Sequence, residues 1–331
     1  MNLLITGGAG FIGANFAHYV SQQGHQVLIY DLLTYAGNPK NVASFTHLVK
    51  GDIRNPNALD LVFREGIDGN PFDAVVNFAA ESHVDRSISL ALPFVETNVL
   101  GAVTVLEAAR RNGLLRFVQI STDEVYGSIE GVEKFTRASS LKPSSAYSAS
   151  KAAADHLLLS YHHTHNFDVR VTRCTNNYGR FQHPEKFIPM IISNALASRP
   201  IPIFGDGRQV RDWIFVEDHC AGILAVLERG KAGGIYHFAG PGLESNEVGI
   251  SNIELVHLIL RILAEQSGRD LSELTSLIRN VADRAGHDRR YALDWLESKI
   301  ELGWQPQMEL ENGLRETIAW WLDNQDWWNG V

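Results

Sequence analysis

The stretch Leu3-Leu4-Ile5-Thr6-Gly7-Gly8-Ala9-Gly10-Phe11-Ile12-Gly13 decides the fold class of this 331-residue chain. A short apolar run typical of a buried strand leads directly into a glycine-rich turn, and residues 14–23 then have the composition of a helix. A second apolar run, Val27 to Asp31, completes a strand–helix–strand unit. Such a unit is typical of a parallel sheet, because parallel strands need a crossover between them.

The glycines of this turn match two overlapping patterns. Gly8, Gly10 and Gly13 satisfy G-x-G-x-x-G, and residues 6–13 also satisfy the variant T-G-x-x-G-x-x-G. Small residues let a pyrophosphate approach the helix N-terminus, and the last glycine lets the helix pack closely on the sheet. Asp31 closes the next strand, where a carboxylate accepts from ribose hydroxyls and favours NAD over NADP. The pattern therefore predicts an NAD site, and a packing turn with an incidental aspartate is the alternative.

Strands and helices continue to alternate through the first half. Asp73–Ala80 and Arg116–Ile120 have the composition of buried strands, and Thr97–Asn112 has helical spacing. We therefore expect an α/β fold, with a Rossmann-type doubly wound parallel sheet and a smaller C-terminal substrate-binding α/β cap. The predicted NAD-binding domain covers residues 1–178 with a returning segment near 208–239, and the predicted substrate domain covers 179–207 and 240–331.

Composition argues against several classes of partner. The formal net charge of −9 disfavours nucleic acid or an anionic membrane, because both require concentrated Lys and Arg. The two cysteines, Cys174 and Cys220, lack C-x-x-C spacing, which argues against a disulfide framework or a thiolate zinc site. The histidines at 162, 163 and 165 have no nearby carboxylate or cysteine to complete a ligand set, so we expect no metal. No signal-like N-terminus or run of roughly 20 apolar residues is evident, so we expect a cytoplasmic protein.

The chemistry is expected at Ile120-Ser121-Thr122-Asp123-Glu124-Val125-Tyr126-Gly127. Ligands bind at the C-terminal edge of an open α/β sheet, and packing does not explain two adjacent acids there. Downstream, Tyr147 and Lys151 are four residues apart and share one helix face. We expect the Lys151 ammonium to lower the Tyr147 pKa, so that the phenol acts as a base near neutral pH. In isolation this spacing more often marks a surface pair.

Other charged positions leave alternatives open. Asp52 ends a strand-like run, where it either contacts adenine or belongs to an ordinary turn. Arginines recur in the loops 205–213 and 283–290, which suits a docked diphosphate. For Arg289 and Arg290 the alternative is a solvated charge run paired with neighbouring aspartates.

Segments along nearly the whole chain resemble the extended short-chain dehydrogenase/reductases, and among them the dTDP-glucose 4,6-dehydratases. Thr122-Asp123-Glu124 is the discriminating match, because related epimerases and decarboxylases share Y-x-x-x-K but lack both adjacent acids. The other matching segments are 6–13, 33–38, 77–87, 96–99, 121–127, 147–151, 173–179, 184–186, 211–213 and 283–291.

The resemblance implies conversion of dTDP-glucose to dTDP-4-keto-6-deoxyglucose and water, with NAD as a tightly held cofactor. Tyr147, aided by Lys151 and Thr122, would remove the C4 hydroxyl proton while hydride passes from C4 to NAD. Glu124 would take the C5 proton, and Asp123 would protonate the departing C6 hydroxyl. Two carboxylates suit this elimination, because adjacency and burial separate their pKa values.

The resemblance also implies which residues bind each ligand. The residues implied for NAD are Gly7, Gly10, Phe11, Ile12, Gly13, Asp31, Asp52, Ile53, Ala79, Thr97, Tyr147, Lys151 and Asn177. Those implied for the nucleotide sugar are Ser82, Thr122, Asn176, Lys186, Arg211, Asn252, Arg284 and His287. The loop between Gly240 and Ser251 is longer than the family's, which makes Asn246 a competitor of Asn252. A homodimer is implied through the helices beginning near Thr97 and Tyr147.

The sequence alone leaves three alternative functions. The same dehydration of a UDP- or GDP-linked sugar is the first alternative, because the sequence does not settle which base is bound. Epimerisation at C4 is less favoured, since it leaves Asp123 and Glu124 without a role. A catalytically silent NAD-binding sensor is disfavoured by the complete set of Thr122, Asp123, Glu124, Tyr147 and Lys151.

Overall fold

The computed structural model describes residues 1–114, 116–241, 249–283 and 288–328. In chain order its strands are β1 (Asn2–Thr6), β2 (Gln26–Asp31), β3 (Leu48–Lys50), β4 (Ala74–Asn77), β5 (Arg116–Thr122), β6 (Asp168–Cys174), β7 (Asn176–Tyr178), β8 (Ile201–Phe204), β9 (Val210–Arg211), β10 (Trp213–Phe215), β11 (Ile235–Phe238), β12 (Ile250–Ser251) and β13 (Ile278–Val281).

The helices lie between and after these strands. In chain order they are α1 (Phe11–Gln22), α2 (Pro56–Glu65), α3 (Val84–Ser89), α4 (Leu92–Phe94), α5 (Ala102–Arg111), α6 (Ala146–His165), α7 (Phe187–Leu196), α8 (Val216–Arg229), α9 (Asn252–Ser267), α10 (Leu271–Thr275), α11 (Leu296–Leu302), α12 (Leu310–Asp323) and α13 (Gln325–Trp328). A π-helical segment, Val95–Gly101, joins α4 to α5, and 3₁₀ turns occupy Pro39–Val42 and Asp123–Tyr126.

A seven-stranded parallel sheet forms the centre, in the order β11–β6–β5–β4–β1–β2–β3. Side chains alternate between its faces, so Leu3 and Ile5 join one core while Leu4 joins the other. Helices α1 and α8 cover the first face, and α2, α5 and α6 cover the second. The predicted doubly wound parallel sheet is therefore confirmed.

Strand order explains where a ligand can bind. β1 lies between β2 and β4, and the chain builds the sheet outward from β1 in both directions. The crossovers on the two sides leave a crevice beyond the carboxyl ends of β1 and β4. The glycine-rich turn follows β1, and the acids Asp123 and Glu124 follow β5, the next strand along.

The second layer has its own core. β8 pairs with β13 in parallel, and β9 pairs with β12 in antiparallel fashion. Helices α7, α9 and α12 close over the first of these pairs around a third cluster that includes Trp321. The predicted α/β cap is confirmed, whereas the domain boundaries stay a prediction. Trp295 and Trp304 pack in the core of the large sheet, although they lie within the predicted 240–331 segment.

One helical segment, Leu92–Arg111, is long and apolar enough to cross a membrane by length and composition alone. The expectation that no run approaches this length is therefore wrong. Of the 18 consecutive residues that are most apolar in this segment, 44% are buried inside the molecule. Core helices of soluble proteins meet the same criteria of length and composition. The segment is weak evidence for a membrane span.

Candidate active site

At two positions of the first turn, neighbouring backbone atoms leave no room for any side chain, so only glycine fits. Gly7 has φ +70°, and a Cβ there would lie 2.5 Å from the backbone nitrogen of Ala79. A Cβ on Gly13 would lie 2.3 Å from the Gly7 oxygen. Helix α1 begins beside them with Gly10 as N-cap and no side-chain cap. Its first amides therefore form the kind of open N-terminus that binds a phosphate group.

The two predicted ribose and adenine contacts differ in how free their carboxylates are. Asp31 is buried and accepts hydrogen bonds from the amides of Ala9, at 2.9 Å, and Leu33, at 2.7 Å. Asp52 lines the same cleft, but its carboxylate pairs with the Arg54 guanidinium at 2.7 Å. Asp31 thus fixes the turn around the cleft, while Asp52 is engaged by its own neighbour.

The remaining predicted NAD residues lie around one cleft. Strand ends and the start of α1 position most of them, while Thr97 lies on the π-helical segment and Tyr147 and Lys151 lie on α6. The cleft is lined by Gly7, Gly10, Phe11, Ile12, Gly13, Asp31, Asp52, Ile53, Ala79, Thr97, Tyr147, Lys151 and Asn177. The side chain of Asn177 is engaged inside the protein, where it donates to the Thr175 carbonyl at 3.0 Å and meets His219 Nδ1 at 2.9 Å.

The two acids sit on a short turn at the end of β5. Thr122 caps this turn, since its Oγ1 accepts from the Glu124 amide and donates to Asp123 Oδ1, both at 3.3 Å. Among the described residues, Asp123 Oδ2 is a buried oxygen with no hydrogen-bond partner. Both acids line the cleft. An orphaned carboxyl oxygen at this position fits a bound hydroxyl group.

Burial raises the pKa of Asp123 well above its ordinary value, and the neighbouring Glu124 carboxylate raises it further. Arg211 opposes this shift. The pKa direction favours a protonated Asp123 near neutral pH. This is the state that a general acid needs.

Tyr147 and Lys151 enter the cleft from the first turns of α6. A reciprocal capping box between Ser145 and Ser148 starts this helix. Lys151 Nζ donates to the Ile120 carbonyl at 2.6 Å, which ties the helix to β5. Burial lowers the pKa of Lys151 to about 8, and the Asp155 carboxylate opposes that shift.

The expectation that Lys151 lowers the Tyr147 pKa is wrong in this structure. Removal of the phenol from water raises the Tyr147 pKa well above its ordinary value, and the Glu124 carboxylate adds to the shift. A hydrogen bond with Thr122 opposes it. Desolvation and the nearby acids therefore set the direction of the Tyr147 pKa shift, which sequence spacing could not reveal.

A second part of the cleft faces the cap. The predicted substrate residues that line it are Ser82, Asn176, Lys186, Arg211 and Asn252, while Thr122 lines the first part. Lys186 Nζ donates to the Ser82 carbonyl at 3.0 Å. Arg211 donates to the Asp288 carbonyl at 2.9 Å, and its guanidinium lies 4.4 Å from the centre of the Tyr291 ring. Two cations at this wall suit an anionic ligand.

Some predicted positions fall elsewhere. Arg284, His287 and Asn246 lie outside the described residues. Arg289 pairs with Asp206 at 2.9 Å, and Arg290 donates to the Glu133 carbonyl, which supports the charge-run alternative for Arg289.

The cleft also contains residues that the sequence analysis missed. Thr34, Ala36 and Gly37 follow β2 and line the NAD part, and Asp288 and Tyr291 line the cap part. The loop after β2 lies in the matching segment 33–38 and directly follows the strand that Asp31 closes, so its place in the cleft could have been found. The positions of Asp288 and Tyr291 depend on how the cap folds back, and no periodic signal marks them.

Comparisons with known proteins agree with this geometry. The family model described as GDP-mannose 4,6 dehydratase matches residues 4–317. A dTDP-glucose 4,6-dehydratase of Xanthomonas campestris is 46% identical, over 99% of this chain and 95% of the relative. A crystal structure of a dTDP-glucose 4,6-dehydratase from Streptomyces venezuelae with NAD and TYD bound superposes with a TM-score of 0.89, at 44% identity over 100% of this chain and 99% of that one.

A second solved structure gives the same result. A dTDP-glucose 4,6-dehydratase from Bacillus anthracis in complex with NAD superposes with a TM-score of 0.88, at 41% identity over 100% of this chain and 99% of that one. Fold, cleft and sequence therefore agree over almost the full length. The chain belongs to the nucleotide-sugar 4,6-dehydratase family, among the dTDP-glucose 4,6-dehydratases.

Proposed function

We propose that the protein is an NAD-dependent hydro-lyase that converts dTDP-glucose to dTDP-4-keto-6-deoxyglucose and water. The observation that carries this proposal is one cleft in which Asp123 and Glu124 lie beside Tyr147 and Lys151, directly against the glycine-rich turn. Relatives named for this activity match over nearly their whole length. An epimerase would need only the Tyr147–Lys151 part of this arrangement.

The cleft residues fit NAD. The open N-terminus of α1 and the close-packed Gly7 and Gly13 suit its pyrophosphate, and the Asp31 wall suits the adenosine ribose. When bound, NAD accepts a hydride from C4 of the sugar and returns it to C6. Because the cofactor is restored in each cycle, we expect the purified protein to retain it.

Tyr147 takes the C4 hydroxyl proton in the first step. Thr122 shares a hydrogen bond with the phenol and Lys151 supplies a positive charge on the same helix face. Because burial and the Glu124 carboxylate raise the pKa of the phenol, Tyr147 has to release its own proton before it can accept one from the C4 hydroxyl, and a neighbouring positive charge favours that phenolate form. Lys151 is the cation positioned for this.

Glu124 and Asp123 divide the elimination. Oxidation at C4 acidifies the C5 proton, and Glu124 removes it. Asp123, held protonated by burial, donates its proton to the C6 hydroxyl, which leaves as water. A carboxylate and a carboxylic acid side by side thus supply the base and the acid that the elimination requires.

The nucleotide sugar binds along the cap. Lys186 and Arg211 neutralise its diphosphate, and Ser82, Asn176 and Asn252 supply polar contacts around it. The family model is named for a GDP-sugar dehydratase, whereas the curated relatives are named for dTDP-glucose. The same chemistry on a UDP- or GDP-linked sugar therefore stays the alternative for the test.

The assembly proposed is a homodimer. A face around α3, α4 and α6 carries apolar side chains that are 43% to 60% exposed, namely Ile88, Leu90, Leu92, Val95, Leu100 and Leu157. A second copy of the chain would remove these from water. Leu92→Glu with Leu100→Glu should halve the mass measured by light scattering, and Ile300→Glu, on α11 outside this face, should leave it unchanged.

A cytoplasmic location is also proposed. Its support is that Cys174 and Cys220 are both free and buried.

Mass spectrometry tests the activity. The purified protein, with no NAD added, is incubated with dTDP-glucose in heavy water. Loss of water with deuterium at C5 is expected. Unchanged dTDP-glucose together with dehydration of a UDP- or GDP-linked sugar would support the alternative base. Inversion at C4 without water loss would indicate an epimerase. No turnover of any nucleotide sugar by a protein with NAD bound would indicate a sensor.

A further inference from the structure

A buried ion pair lies behind the strand that carries the acids. Arg173 on β6 stands opposite Ser121 on β5. Its Nε donates to Asp155 Oδ2 at 3.0 Å, and the two side chains are 3% and 0% exposed. Asp155 lies on α6, one turn beyond Lys151. A fully desolvated pair is costly unless further hydrogen bonds engage it, so the rest of its contacts matter.

Those contacts reach both ends of the acid-bearing turn. Ser121, just before Thr122, donates from its Oγ to Asp155 Oδ2 at 3.0 Å. Arg173 Nη1 donates to the hydroxyl of Tyr126, the last residue of the turn, at 2.6 Å. One ion pair therefore holds the chain on each side of Asp123 and Glu124.

The far end of this network has a single consistent arrangement of protons. Burial lowers the pKa of His237 to about 3, so its ring is neutral. Its Nδ1 lies 2.9 Å from the Asp294 carbonyl, which only accepts, so Nδ1 carries the proton. Nε2 then accepts from the Tyr126 hydroxyl at 2.7 Å. The Tyr126 hydroxyl thus accepts from Arg173 and donates to His237, which fixes its position from two sides.

We infer that the Arg173–Asp155 pair, acting through Ser121 and Tyr126, is a clamp that holds the turn Asp123–Tyr126 in the geometry needed for elimination. Its members are positioning residues, because they act through the acids. This role rests on the proposed dehydration.

The test removes one oxygen from the clamp. Asp155→Ala would leave Arg173 buried without its partner and endanger folding, so Tyr126→Phe is the main variant. Tyr236→Phe is the matched control, because Tyr236 is also fully buried and its hydroxyl accepts from the Lys231 amide at 2.7 Å, away from the acids. Arg173→Lys adds a variant that keeps the charge but loses the fork joining Asp155 and Tyr126.

Hydrogen exchange gives a readout independent of catalysis. The Glu124 amide is bonded to Thr122 Oγ1 and the Gly127 amide to the Glu124 carbonyl, so both report on the turn. In Tyr126→Phe and Arg173→Lys these amides should exchange about tenfold faster than in wild type. In Tyr236→Phe they should match wild type.

Kinetics give the second readout. In Tyr126→Phe the rate of water loss should fall about tenfold with an unchanged KM, and reduced nicotinamide should accumulate on the protein during turnover, because misplaced acids slow only elimination. Wild-type exchange at the turn, or equal effects in Tyr236→Phe, would overturn the clamp. Failure of the wild-type protein to dehydrate dTDP-glucose would instead count against the proposed function, and the exchange data would still decide the clamp.

Discussion

The two halves of the cleft are built in different ways. The NAD half consists mainly of strand ends and the start of α1, so most of its residues are close in sequence to a strand of the large sheet, and α6 adds Tyr147 and Lys151. The cap half gathers its residues from separate loops, helix starts and the short strand β9, namely Lys186, Arg211, Asn252 and Tyr291. The acids Asp123 and Glu124 lie where the halves meet. Chemistry is thus fixed by the rigid sheet, while the cap supplies recognition.

The largest effect should come from the junction of the two halves, which is formed by Asp123, Glu124, Tyr147 and Lys151. Tyr147→Phe removes the group that takes the C4 proton, so turnover of dTDP-glucose should fall by about 10³-fold. Bound NAD, measured in the denatured protein's supernatant, should stay at the wild-type level. An unchanged rate of turnover in Tyr147→Phe would mean that another residue of the junction accepts the C4 proton.

The NAD half should be sensitive to a single methyl group. In Gly13→Ala the added Cβ would lie 2.3 Å from the Gly7 oxygen, so the turn has to shift. Overpacking of about 1–3 kcal/mol corresponds to an NAD affinity lower by about 5- to 150-fold. Cofactor content after gel filtration measures this. Gly24→Ala, where nothing lies within 4 Å of the added Cβ, controls for glycine replacement as such.

The same difference between the two halves decides which site residues could be predicted from the sequence. Gly7, Gly13 and Asp31 were found because a turn, a helix start and a strand end are local features. The acids were found because they follow a buried strand. Tyr291 and Asp288 were missed, and the direction of the Tyr147 pKa was wrong, because both depend on which side chains the folded chain brings together.

The pH dependence tests the charge at the junction. Burial lowers the Lys151 pKa to about 8, so Lys151 is protonated below that pH and neutral above it. If both the Lys151 ammonium and the Tyr147 phenolate are needed, the rate of C4 oxidation should rise up to about tenfold per pH unit below about pH 8 and level off above it, because the ammonium is then lost as fast as the phenolate forms. Stopped-flow absorbance of reduced nicotinamide measures it. A rate that keeps rising about tenfold per pH unit above pH 8 would exclude this role for the ammonium.

The smallest effect should come from the cap. Asn252→Ala removes polar contacts worth about 0.5–1.5 kcal/mol, so KM for dTDP-glucose should rise about fivefold with NAD content unchanged. Asn280→Ala, on β13, should leave KM as in wild type because Asn280 is bonded to the Gly205 carbonyl. A loss of bound NAD in Asn252→Ala would mean that the cap half and the NAD half do not bind their ligands independently.

The most direct test of the central claim separates the two chemical steps in one variant. Glu124→Gln is mixed with dTDP-glucose in heavy water, while reduced nicotinamide is followed by absorbance and water loss by mass spectrometry. Reduced nicotinamide should accumulate in this variant, while water loss and C5 deuteration slow by about 10²-fold. Loss of both steps together, with the fold and bound NAD retained, would contradict it.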